Sequence, residues 1–326
     1  MPYTLTIATQ TQESVCVYTD QQTIALFLKT LHLPNLKVYD ASECESGKSN
    51  KIRTLGKIIY TLLYRRYFVL RQLKRMRPTT VYFFHDSFGS MELWLVSKLE
   101  KFSEVVYCPT LRHAKQTDVQ WSKKEYSVAN WVDLICWRLE RYPINYGDIR
   151  WFVTDSFFER NNIQTKTIQW AIPDEFQKLY MSNKKVLILV ENVFANPAVE
   201  PNVYFPLLQR IIEQIGEQNV LLKNHPRFPF DVKQHFHCNC EEMNSEIPVN
   251  IVLRQFSVVI GNWSTVLFEA EQCRVKAVSL LRIFQPFYRK DLYEGNLRYL
   301  QDNDVNNKIV YPHSVEELCN IVKNYV

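Results

Sequence analysis

A cluster of basic side chains follows one apolar run in the second half of the chain. The run Val220–Leu222 leads directly into three basic residues, Lys223, His225 and Arg227. Pro226 stiffens the backbone among them. Three such groups at one strand end suit a phosphate or a carboxylate, and a histidine can also deliver a proton near neutral pH. The alternative is a polar loop in which the histidine serves only as a cap.

A second polar cluster follows the apolar run Val258–Gly261. Ser264 and Thr265 stand at the start of a predicted amphipathic helix, where hydroxyls and unpaired backbone N–H groups form an anion site. Glu269 falls in the second turn of that helix and could accept hydrogen bonds from a sugar. The alternatives are an ordinary helix cap and a glutamate that faces water.

A third polar cluster follows the apolar run Tyr82–Phe84 in the first half of the chain. A carboxylate just beyond a buried strand, here Asp86, lies where a general base would be placed across a cleft. The alternative is that Asp86 or Ser90 caps a helix that begins near Ser90. The neighbours of Asp86 in this candidate site are His85, Ser87, Gly89 and Ser90.

Apolar, β-branched and aromatic runs alternate with helical stretches along the chain, which predicts an α/β protein with parallel sheets. Ligands bind beyond the carboxyl ends of strands in such sheets, and all three polar clusters lie there. The predicted strands are Leu5–Ala8, Ser14–Tyr18, Leu36–Tyr39, Thr80–Phe84, Glu104–Cys108, Trp151–Thr154, Lys185–Val190, Asn219–Lys223, Val249–Leu253, Val258–Ile260, Val275–Ser279 and Lys308–Val310. The predicted helices are Gln21–Leu31, Lys51–Arg75, Ser90–Lys101, Ser127–Leu139, Tyr204–Ile215, Thr265–Cys273 and Ser314–Tyr325.

Two domains are expected from this pattern. The chain becomes polar and irregular between Phe157 and Lys184, and we place an inter-domain linker at residues 158–183. The linker separates a domain of residues 1–157 from a domain of residues 184–326. Two βα repeats of similar size joined by one linker predict two Rossmann-like domains that face each other across a cleft.

Composition narrows the class of protein further. The chain has 326 residues, of which 46% are hydrophobic and only 7 are glycine. Neither GxGxxG nor GxxxxGK[ST] occurs, which weakens a nicotinamide-binding or P-loop interpretation. No apolar run reaches the roughly 18 residues that span a bilayer. The eight cysteines are scattered, and the first residues do not show the basic and then apolar pattern of a signal peptide. We therefore expect reduced thiols in a cytoplasmic protein.

Together the three clusters resemble the bacterial sialyltransferases of the GT-B type, which carry an acidic motif, an HP motif and an S motif in this order. The most similar subgroup is glycosyltransferase family 52, the lipooligosaccharide sialyltransferases. The HP and S motifs correspond to Lys223-Asn224-His225-Pro226-Arg227 and Ser264-Thr265-Val266-Leu267-Phe268-Glu269. The first motif corresponds to His85-Asp86-Ser87-Phe88-Gly89-Ser90, which keeps the aspartate and the Gly-Ser pair.

The resemblance implies an inverting, metal-independent glycosyltransferase that needs no cofactor. It would move sialic acid from CMP-sialic acid to a terminal galactose-type sugar of lipooligosaccharide or capsule. Asp86 would be the general base, and His225 would bind the donor phosphate and protonate the leaving nucleotide. Ser264 and Thr265 would hold the phosphate of CMP. The remaining donor-side candidates are Lys223, Pro226, Arg227, Asn250 and Glu269, and the acceptor-side candidates are His85, Ser87, Gly89 and Ser90.

Three positions depart from the family pattern. His85 and Ser87 replace the acid and the glycine that flank the family aspartate, and Asn250 stands where relatives often carry the acid of a Pro-x-Glu motif. These changes leave open another donor, such as CMP-Kdo or a nucleotide-hexose. They also leave open a non-catalytic subunit of glycan assembly. Should Asp86 not be the base, Glu191, directly after the run Lys185–Val190, is the next candidate.

Two further features lie outside the resemblance. His235, His237, Cys238 and Cys240 could ligate a metal, but no second Cys/His pair follows nearby, so a surface loop is the favoured interpretation. The stretch Lys51–Arg77 holds nine basic residues and no acid, around an apolar helical stripe. That helix could pack on the first sheet, and its basic face could also attract the protein to the anionic inner face of the cytoplasmic membrane. No nucleic-acid-binding motif accompanies the charge, and the oligomeric state stays open.

Overall fold

The computed structural model describes residues 2–19, 22–40, 70–83, 99, 101–107, 164–165, 174–178, 180–195, 197–225, 230–304 and 306–326. The chain falls into two compact units. The first unit combines residues 1–40 with residues 170–326, and the second holds residues 41–169. All pairs of strands in the described ranges are parallel, which confirms the predicted α/β class with parallel sheets. The predicted division at residues 158–183 stays a prediction.

Two small parallel sheets are formed by the earlier strands. In the first unit β1 (Val15–Thr19) pairs with β2 (Leu36–Asp40). In the second unit the sheet has the order β3-β4-β5, from β3 (Thr80–Phe83), β4 (Glu104–Tyr107) and β5 (Gln164–Thr165). These strands confirm four predicted strands of the first half of the chain and add β5.

The largest sheet lies in the first unit and has five parallel strands in the order β10-β9-β6-β7-β8. The strands are β6 (Val186–Val190), β7 (Val220–Asn224), β8 (Glu241–Met243), β9 (Val258–Gly261) and β10 (Lys276–Ser279). Valine, leucine and isoleucine fill most of β6, β7 and β9, and almost all of their residues are buried. Such continuous apolar runs are typical of parallel strands that are covered on both faces.

The chain changes direction across this sheet at β6. From β6 it proceeds to β7 and β8 on one side, and it then returns to β9 and β10 on the other side. Such a reversal is a topological switch point, and ligands of open α/β sheets bind at the carboxyl ends of the strands beside it. The strand register aligns these ends, because Val190 pairs with Asn224 and Ile188 pairs with Ile260.

Helices connect the strands. Numbered along the chain, they are α1 (Pro2–Gln10), α2 (Gln22–Thr30), α3 (Leu70–Met76), α4 (Asp174–Gln177), α5 (Pro201–Ile215), α6 (Val249–Val252), α7 (Val266–Gln272), α8 (Leu281–Phe284), α9 (Lys290–Asn303) and α10 (Val315–Lys323). Helix α5 begins with a proline, whose missing N–H needs no partner in the first turn. It ends at Gly216, whose φ of 91° favours glycine. Helix α10 lies against α5, and Arg210 pairs with Glu316 at 2.8 Å.

Two predicted strands are wrong, because both segments are helical. Leu5–Ala8 lies inside α1, where Leu5 and Ala8 are buried one helical turn apart. Val249–Leu253 forms α6 and the start of a following 3-10 turn, after Pro248 at the helix cap. A short apolar run fits a buried helix as well as a strand. The outer strand next to β7 is instead the acidic segment Glu241–Met243, which carried no strand pattern.

The other predicted elements have mixed outcomes. Lys308–Val310 contributes a single parallel bridge, between Val278 and Val310. Helix α9 was not predicted, and its mean hydropathy is low. The predicted elements Trp151–Thr154 and Ser127–Leu139, most of Lys51–Arg75 and nearly all of Ser90–Lys101 lie outside the described residues.

The described end of the basic stretch is helix α3. Its basic residues Arg71, Lys74 and Arg75 are exposed. Membrane attraction through this stretch stays a prediction. Among the residues that the structure describes, no helix is long and apolar enough to cross a membrane.

Candidate functional site

Three polar segments meet the carboxyl edge of the large sheet at the switch point. Glu191 follows β6, His225 follows β7 and Asn262 follows β9. Because β6 lies between β7 and β9, and the register aligns their ends, these segments are neighbours. The parallel strands therefore bring together residues that are far apart in the sequence. We call this edge the switch-point site.

Glu191 links β6 to the loop after β9. The side-chain amide of Asn262 donates to Oε2 of Glu191 at 2.7 Å, and the indole N–H of Trp263 donates to Oε1. Burial raises the pKa of the Glu191 carboxyl, while these two hydrogen bonds lower it. Both carboxylate oxygens are engaged, so Glu191 fixes the start of the loop that leads to Ser264 and Thr265.

Asn262 is almost completely buried, at 4% exposure. Its backbone carbonyl accepts a hydrogen bond from the hydroxyl of Ser279, at the end of β10, at 2.6 Å. Its Oδ1 atom is buried and has no hydrogen-bond partner within the described part of the chain. The strand end is thus held from two sides, by Glu191 and by Ser279.

Two tyrosines support Glu191 from the other side. The backbone N–H of Glu191 donates to the hydroxyl of Tyr204 in α5 at 3.0 Å. Burial, with the nearby Glu191 carboxylate, raises the pKa of Tyr204 and of Tyr288 well above their usual range. Tyr288 also forms an isolated β-bridge with Val199, before helix α5. Its hydroxyl accepts a hydrogen bond from the side chain of Asn296, in helix α9, at 2.7 Å.

His225 is exposed at the end of β7. Its backbone N–H donates to Oδ1 of Asn224 at 3.0 Å. The side chain of Asn224 is buried and donates to the carbonyl of Phe230 at 2.5 Å, which closes the loop after β7. Contacts of the Asn224 side chain therefore fix the base of this loop, and His225 itself is exposed.

Lys223 points away from the solvent at the same strand end. It is 4% exposed, and its ammonium group donates to the carbonyl of Asn244 at 2.7 Å. Burial lowers the pKa of Lys223 to about 8, although the Glu242 carboxylate raises it. The structure therefore places this predicted phosphate ligand in the interior, against the turn after β8.

Ser264 and Thr265 lie between the Glu191 contacts and helix α7. The hydroxyl of Ser264 accepts a hydrogen bond from the backbone N–H of Val266 at 3.3 Å. Thr265 is exposed, and its hydroxyl makes no cap contact with the helix. The predicted pair is thus brought to the same edge as Glu191 and His225.

Glu269 and Asn250, two predicted donor-side residues, form a pair between α7 and α6. Burial raises the pKa of Glu269 to about 7, while a hydrogen bond from the Asn250 side chain lowers it. Oδ1 of Asn250 is buried without a hydrogen-bond partner in the described ranges. The two predicted residues therefore contact each other, and Glu269 is not simply a solvent-facing residue of α7.

His235, a candidate metal ligand, belongs to an aromatic cluster. Its ring stacks on Phe205 with centroids 4.6 Å apart and planes at 12°. Phe194 and Phe230 complete this ring cluster, with centroids 5.0 and 5.8 Å from that of His235. Cys240 is buried, and burial raises the pKa of its thiol. Where the chain is described, no group of three His, Cys, Asp or Glu side chains is arranged to hold a metal ion.

Seven of the predicted site residues lie outside the described residues, and nothing is assigned to their positions. They are His85, Asp86, Ser87, Gly89, Ser90, Pro226 and Arg227.

Comparison with known proteins is most informative for the second half of the chain. Residues 152–282 match the family model of the alpha-2,8-polysialyltransferases. This span includes Glu191, His225 and the loop of residues 262–265. No curated protein sequence matches the chain.

Solved structures match nearly the whole chain at low identity. The glycosyltransferase of kitacinnamycin has a TM-score of 0.51 and 10% identity, covering 99% of this chain and 86% of its own. A putative UDP-N-acetylglucosamine 2-epimerase from Listeria monocytogenes has a TM-score of 0.48 and 11% identity, covering 99% and 90%. The E. coli ADP-heptose heptosyltransferase II has a TM-score of 0.45 and 10% identity, covering 99% of this chain and 93% of its own. The first of these likenesses shows the GT-B type of fold.

The match over residues 152–282 supports a glycosyltransferase. At the switch-point site His225 is exposed after β7, and Thr265 is exposed after β9. A buried hydrogen-bond network between β6 and β9 holds the second of these segments in place.

Some residues of the site could not be recognised from the sequence. Trp263, directly before the predicted S motif, was given no role, and Tyr204, Asn262 and Tyr288 were not singled out. The recognisable feature was a carboxylate directly after a buried parallel strand, and it marked Glu191 as an alternative base. Its two hydrogen bonds join residues 71 and 72 positions apart, which only the strand order brings together.

Proposed function

We propose that the chain is a sialyltransferase that uses CMP-sialic acid as its donor. The observation that carries this proposal is the match to the alpha-2,8-polysialyltransferase family over residues 152–282, which contain the switch-point site. The reaction would invert the anomeric centre and would need no metal and no further cofactor. The sequence resemblance to the GT-B sialyltransferases supports both expectations.

The donor phosphate is proposed to bind between the ends of β7 and β9. Neighbouring parallel strands lie about 4.8 Å apart, so the two ends are separated by about 10 Å across β6. His225 would neutralise the phosphate and protonate it as the sugar departs, since imidazole transfers protons near neutral pH. Ser264 and Thr265 would donate hydrogen bonds to the same group from the opposite side.

The acceptor hydroxyl is proposed to lose its proton to Asp86. Attack on the anomeric carbon needs a base on the acceptor side, and a carboxylate after a strand is suited to this role. His85, Ser87, Gly89 and Ser90 would line the acceptor side. Glu191 is the less suitable base, because Asn262 and Trp263 already occupy both of its oxygens.

Two kinds of acceptor follow from two separate observations. The resemblance to the lipooligosaccharide enzymes indicates a terminal galactose-type sugar of a bacterial surface glycan. The name of the matching family favours an acceptor that ends in sialic acid, which would receive an α2,8 linkage. We favour the second acceptor, because the family match spans the residues of the site.

The test is a transfer assay with purified protein, CMP-sialic acid and EDTA. Galactose-terminated and sialic-acid-terminated oligosaccharides are supplied in parallel, and both transfer and CMP release are measured. We expect release of CMP in the reactions with both acceptors, although EDTA is present. Transfer of sialic acid is expected to the sialic-acid-terminated acceptor. CMP-Kdo and a nucleotide-hexose are the competing donors, and activity with either alone would replace the proposed donor. Nucleotide binding without transfer or hydrolysis would indicate the non-catalytic alternative.

The role of His225 is tested by its alanine variant in the same assay. We expect His225→Ala to lower kcat at least 100-fold, in keeping with the loss of a positioned acid. His237→Ala is the matched control, because His237 is also exposed but lies beyond the ring cluster. Equal activity of the two variants would contradict the assignment of His225.

A further inference from the structure

An exposed aromatic ring stands at the switch-point site, and the proposed chemistry does not use it. Phe194 is 52% exposed, although it belongs to the ring cluster with Phe205, Phe230 and His235. Burial of a phenylalanine side chain stabilises a fold, so the structure gives up part of that stabilisation here. A ring that is anchored on one side and open on the other can stack on a ligand.

The loop that carries Phe194 is held in a defined conformation. Oδ1 of Asn192 accepts hydrogen bonds from the backbone N–H groups of Phe194 and Ala195, at 3.0 and 2.9 Å. Val193, the residue before Phe194, is buried at 1% exposure and anchors the loop in the core. The ring is therefore preorganised, and little conformational freedom is lost when a ligand binds against it.

The ring cluster lies on the β7 side of the site. Phe194 follows Glu191 in the loop after β6, while Phe230 and His235 follow His225 in the segment after β7. The Glu191 contacts to Asn262 and Trp263 lie on the β9 side. The exposed ring is thus at the same sheet edge as the proposed phosphate ligands, on the side of β7, the strand that His225 follows.

We propose that Phe194 is the stacking platform for the nucleobase of the donor, an inference that rests on the proposed nucleotide-sugar chemistry. The partners of the ring within the described residues are two phenylalanines and a histidine. Such surroundings suit the flat face of a heterocycle and offer few hydrogen bonds to a polyhydroxylated sugar. Stacking on an aromatic side chain tolerates any base, so Phe194 supplies affinity and leaves the choice of base to other groups.

The experiment compares ligands with and without a base. CMP, cytidine and ribose 5-phosphate are titrated calorimetrically against the wild-type chain, Phe194→Leu and Phe194→Trp. Phe194→Leu removes the ring but keeps an apolar side chain, and thermal unfolding checks that each variant is folded. Phe287→Ala is the matched control, since Phe287 is 54% exposed on the loop after α8.

We expect Phe194→Leu to weaken CMP and cytidine about tenfold, in keeping with the loss of one base stack. Ribose 5-phosphate should bind the variant and the wild type equally, and Phe194→Trp should restore CMP binding. Unchanged CMP affinity in the folded Phe194→Leu variant would overturn the platform while leaving the donor site intact. Equal weakening of CMP and ribose 5-phosphate would do the same, because it would indicate a general loop defect.

Failure of the proposed function gives a different result. A wild-type chain that binds no cytidine, uridine, adenosine or guanosine monophosphate would overturn the nucleotide donor and the platform together. If ribose 5-phosphate does not bind the wild type, the base supplies most of the affinity. The ratio of the CMP affinities of the wild type and Phe194→Leu then decides whether Phe194 is the platform.

Discussion

The two sides of the switch-point site are built differently. On the β9 side, the half-buried carboxylate of Glu191 accepts hydrogen bonds from Asn262 and Trp263, and the hydroxyl of Ser279 holds the same strand end. On the β7 side, an exposed histidine stands beside stacked rings, one of which is half open to water. The same sheet edge thus combines a buried polar network with exposed functional groups.

The difference indicates a division of roles. Hydrogen bonds to a buried carboxylate are worth more than those at the surface, so the β9 side has one stable arrangement. On the β7 side His225 and the ring of Phe194 are exposed, at the expense of burial that would stabilise the fold. We infer that the first side positions the hydroxyls of Ser264 and Thr265, and that the second side contacts the substrate.

The largest effect is expected from removing the buried carboxylate. Glu191→Ala leaves the amide of Asn262 and the indole N–H of Trp263 without their acceptor. Loss of two charge-assisted hydrogen bonds should lower the free energy of unfolding by about 3 kcal/mol. Urea unfolding followed by tryptophan fluorescence measures this change, and nucleotide binding should be lost at the same time.

Glu316→Ala is the matched control for Glu191→Ala. Glu316 also accepts from a side-chain donor, Arg210, but the pair is exposed. Its removal should leave the free energy of unfolding almost unchanged, because water and salt screen an exposed pair. Similar destabilisation by the two variants would remove the distinction between a buried network on the β9 side and ordinary surface pairs.

A pH dependence of stability is expected from Lys223 on the β7 side. Burial lowers its pKa from 10.5 to about 8, so between these values the unfolded chain binds more protons than the folded chain. The contribution of Lys223 to stability therefore rises with pH between about 8 and 10.5. The free energy of unfolding of the wild type, relative to Lys223→Met, should rise by about 1–3 kcal/mol from pH 8 to pH 10. If the difference between the two free energies of unfolding does not change with pH, the ammonium group of Lys223 lies in solvent.

The opposite sign is expected from Glu269 on the β9 side. Burial raises its pKa from 4.5 to about 7, so between these values the folded chain binds more protons than the unfolded chain. Its contribution to stability is present below pH 4.5 and is lost as the pH rises through 7. The wild type, relative to Glu269→Gln, should lose about 1–2 kcal/mol between pH 5 and pH 7.5 in urea unfolding. A rise over this range would contradict the buried pair with Asn250.

The smallest effect is expected from Tyr204, which contacts Glu191 from helix α5. Tyr204→Phe keeps the ring and its stack on Phe284, with centroids 5.3 Å apart, but removes the acceptor of the Glu191 backbone N–H. Loss of this one hydrogen bond should lower the free energy of unfolding by about 1 kcal/mol and leave nucleotide affinity nearly unchanged. A large loss of affinity would extend the substrate-contacting side to α5.

The sheet could be predicted from the sequence where the strands are continuous apolar runs. Val186–Val190 and Val258–Gly261 are such runs, and the polar residues after them marked the carboxyl edge correctly. The strand predicted at Val249–Leu253 was wrong, because a run of four or five apolar residues fits a buried helix as well as a strand. The strand Glu241–Met243 is acidic and lies at the sheet edge, so it showed no pattern at all.

The contacts of the site were harder to predict than its location. The bond between Trp263 and Glu191 depends on the pairing of β6 with β9, which the sequence does not specify. Lys223 was expected at the phosphate because it precedes His225, yet it belongs to β7, which is buried throughout, and its ammonium donates to the carbonyl of Asn244. Likewise His235 was considered as a metal ligand, whereas in the structure its ring stacks on Phe205, a contact between residues that are distant in the sequence.

The most direct test of the whole account is a crystal structure of the chain with CMP bound. We predict the phosphate between the imidazole of His225 and the hydroxyls of Ser264 and Thr265, with the cytosine ring against Phe194. The contacts of Glu191 to Asn262 and Trp263 should be unchanged by the ligand. CMP bound away from the carboxyl ends of β6, β7 and β9, or no CMP bound at saturating concentration, would contradict the account.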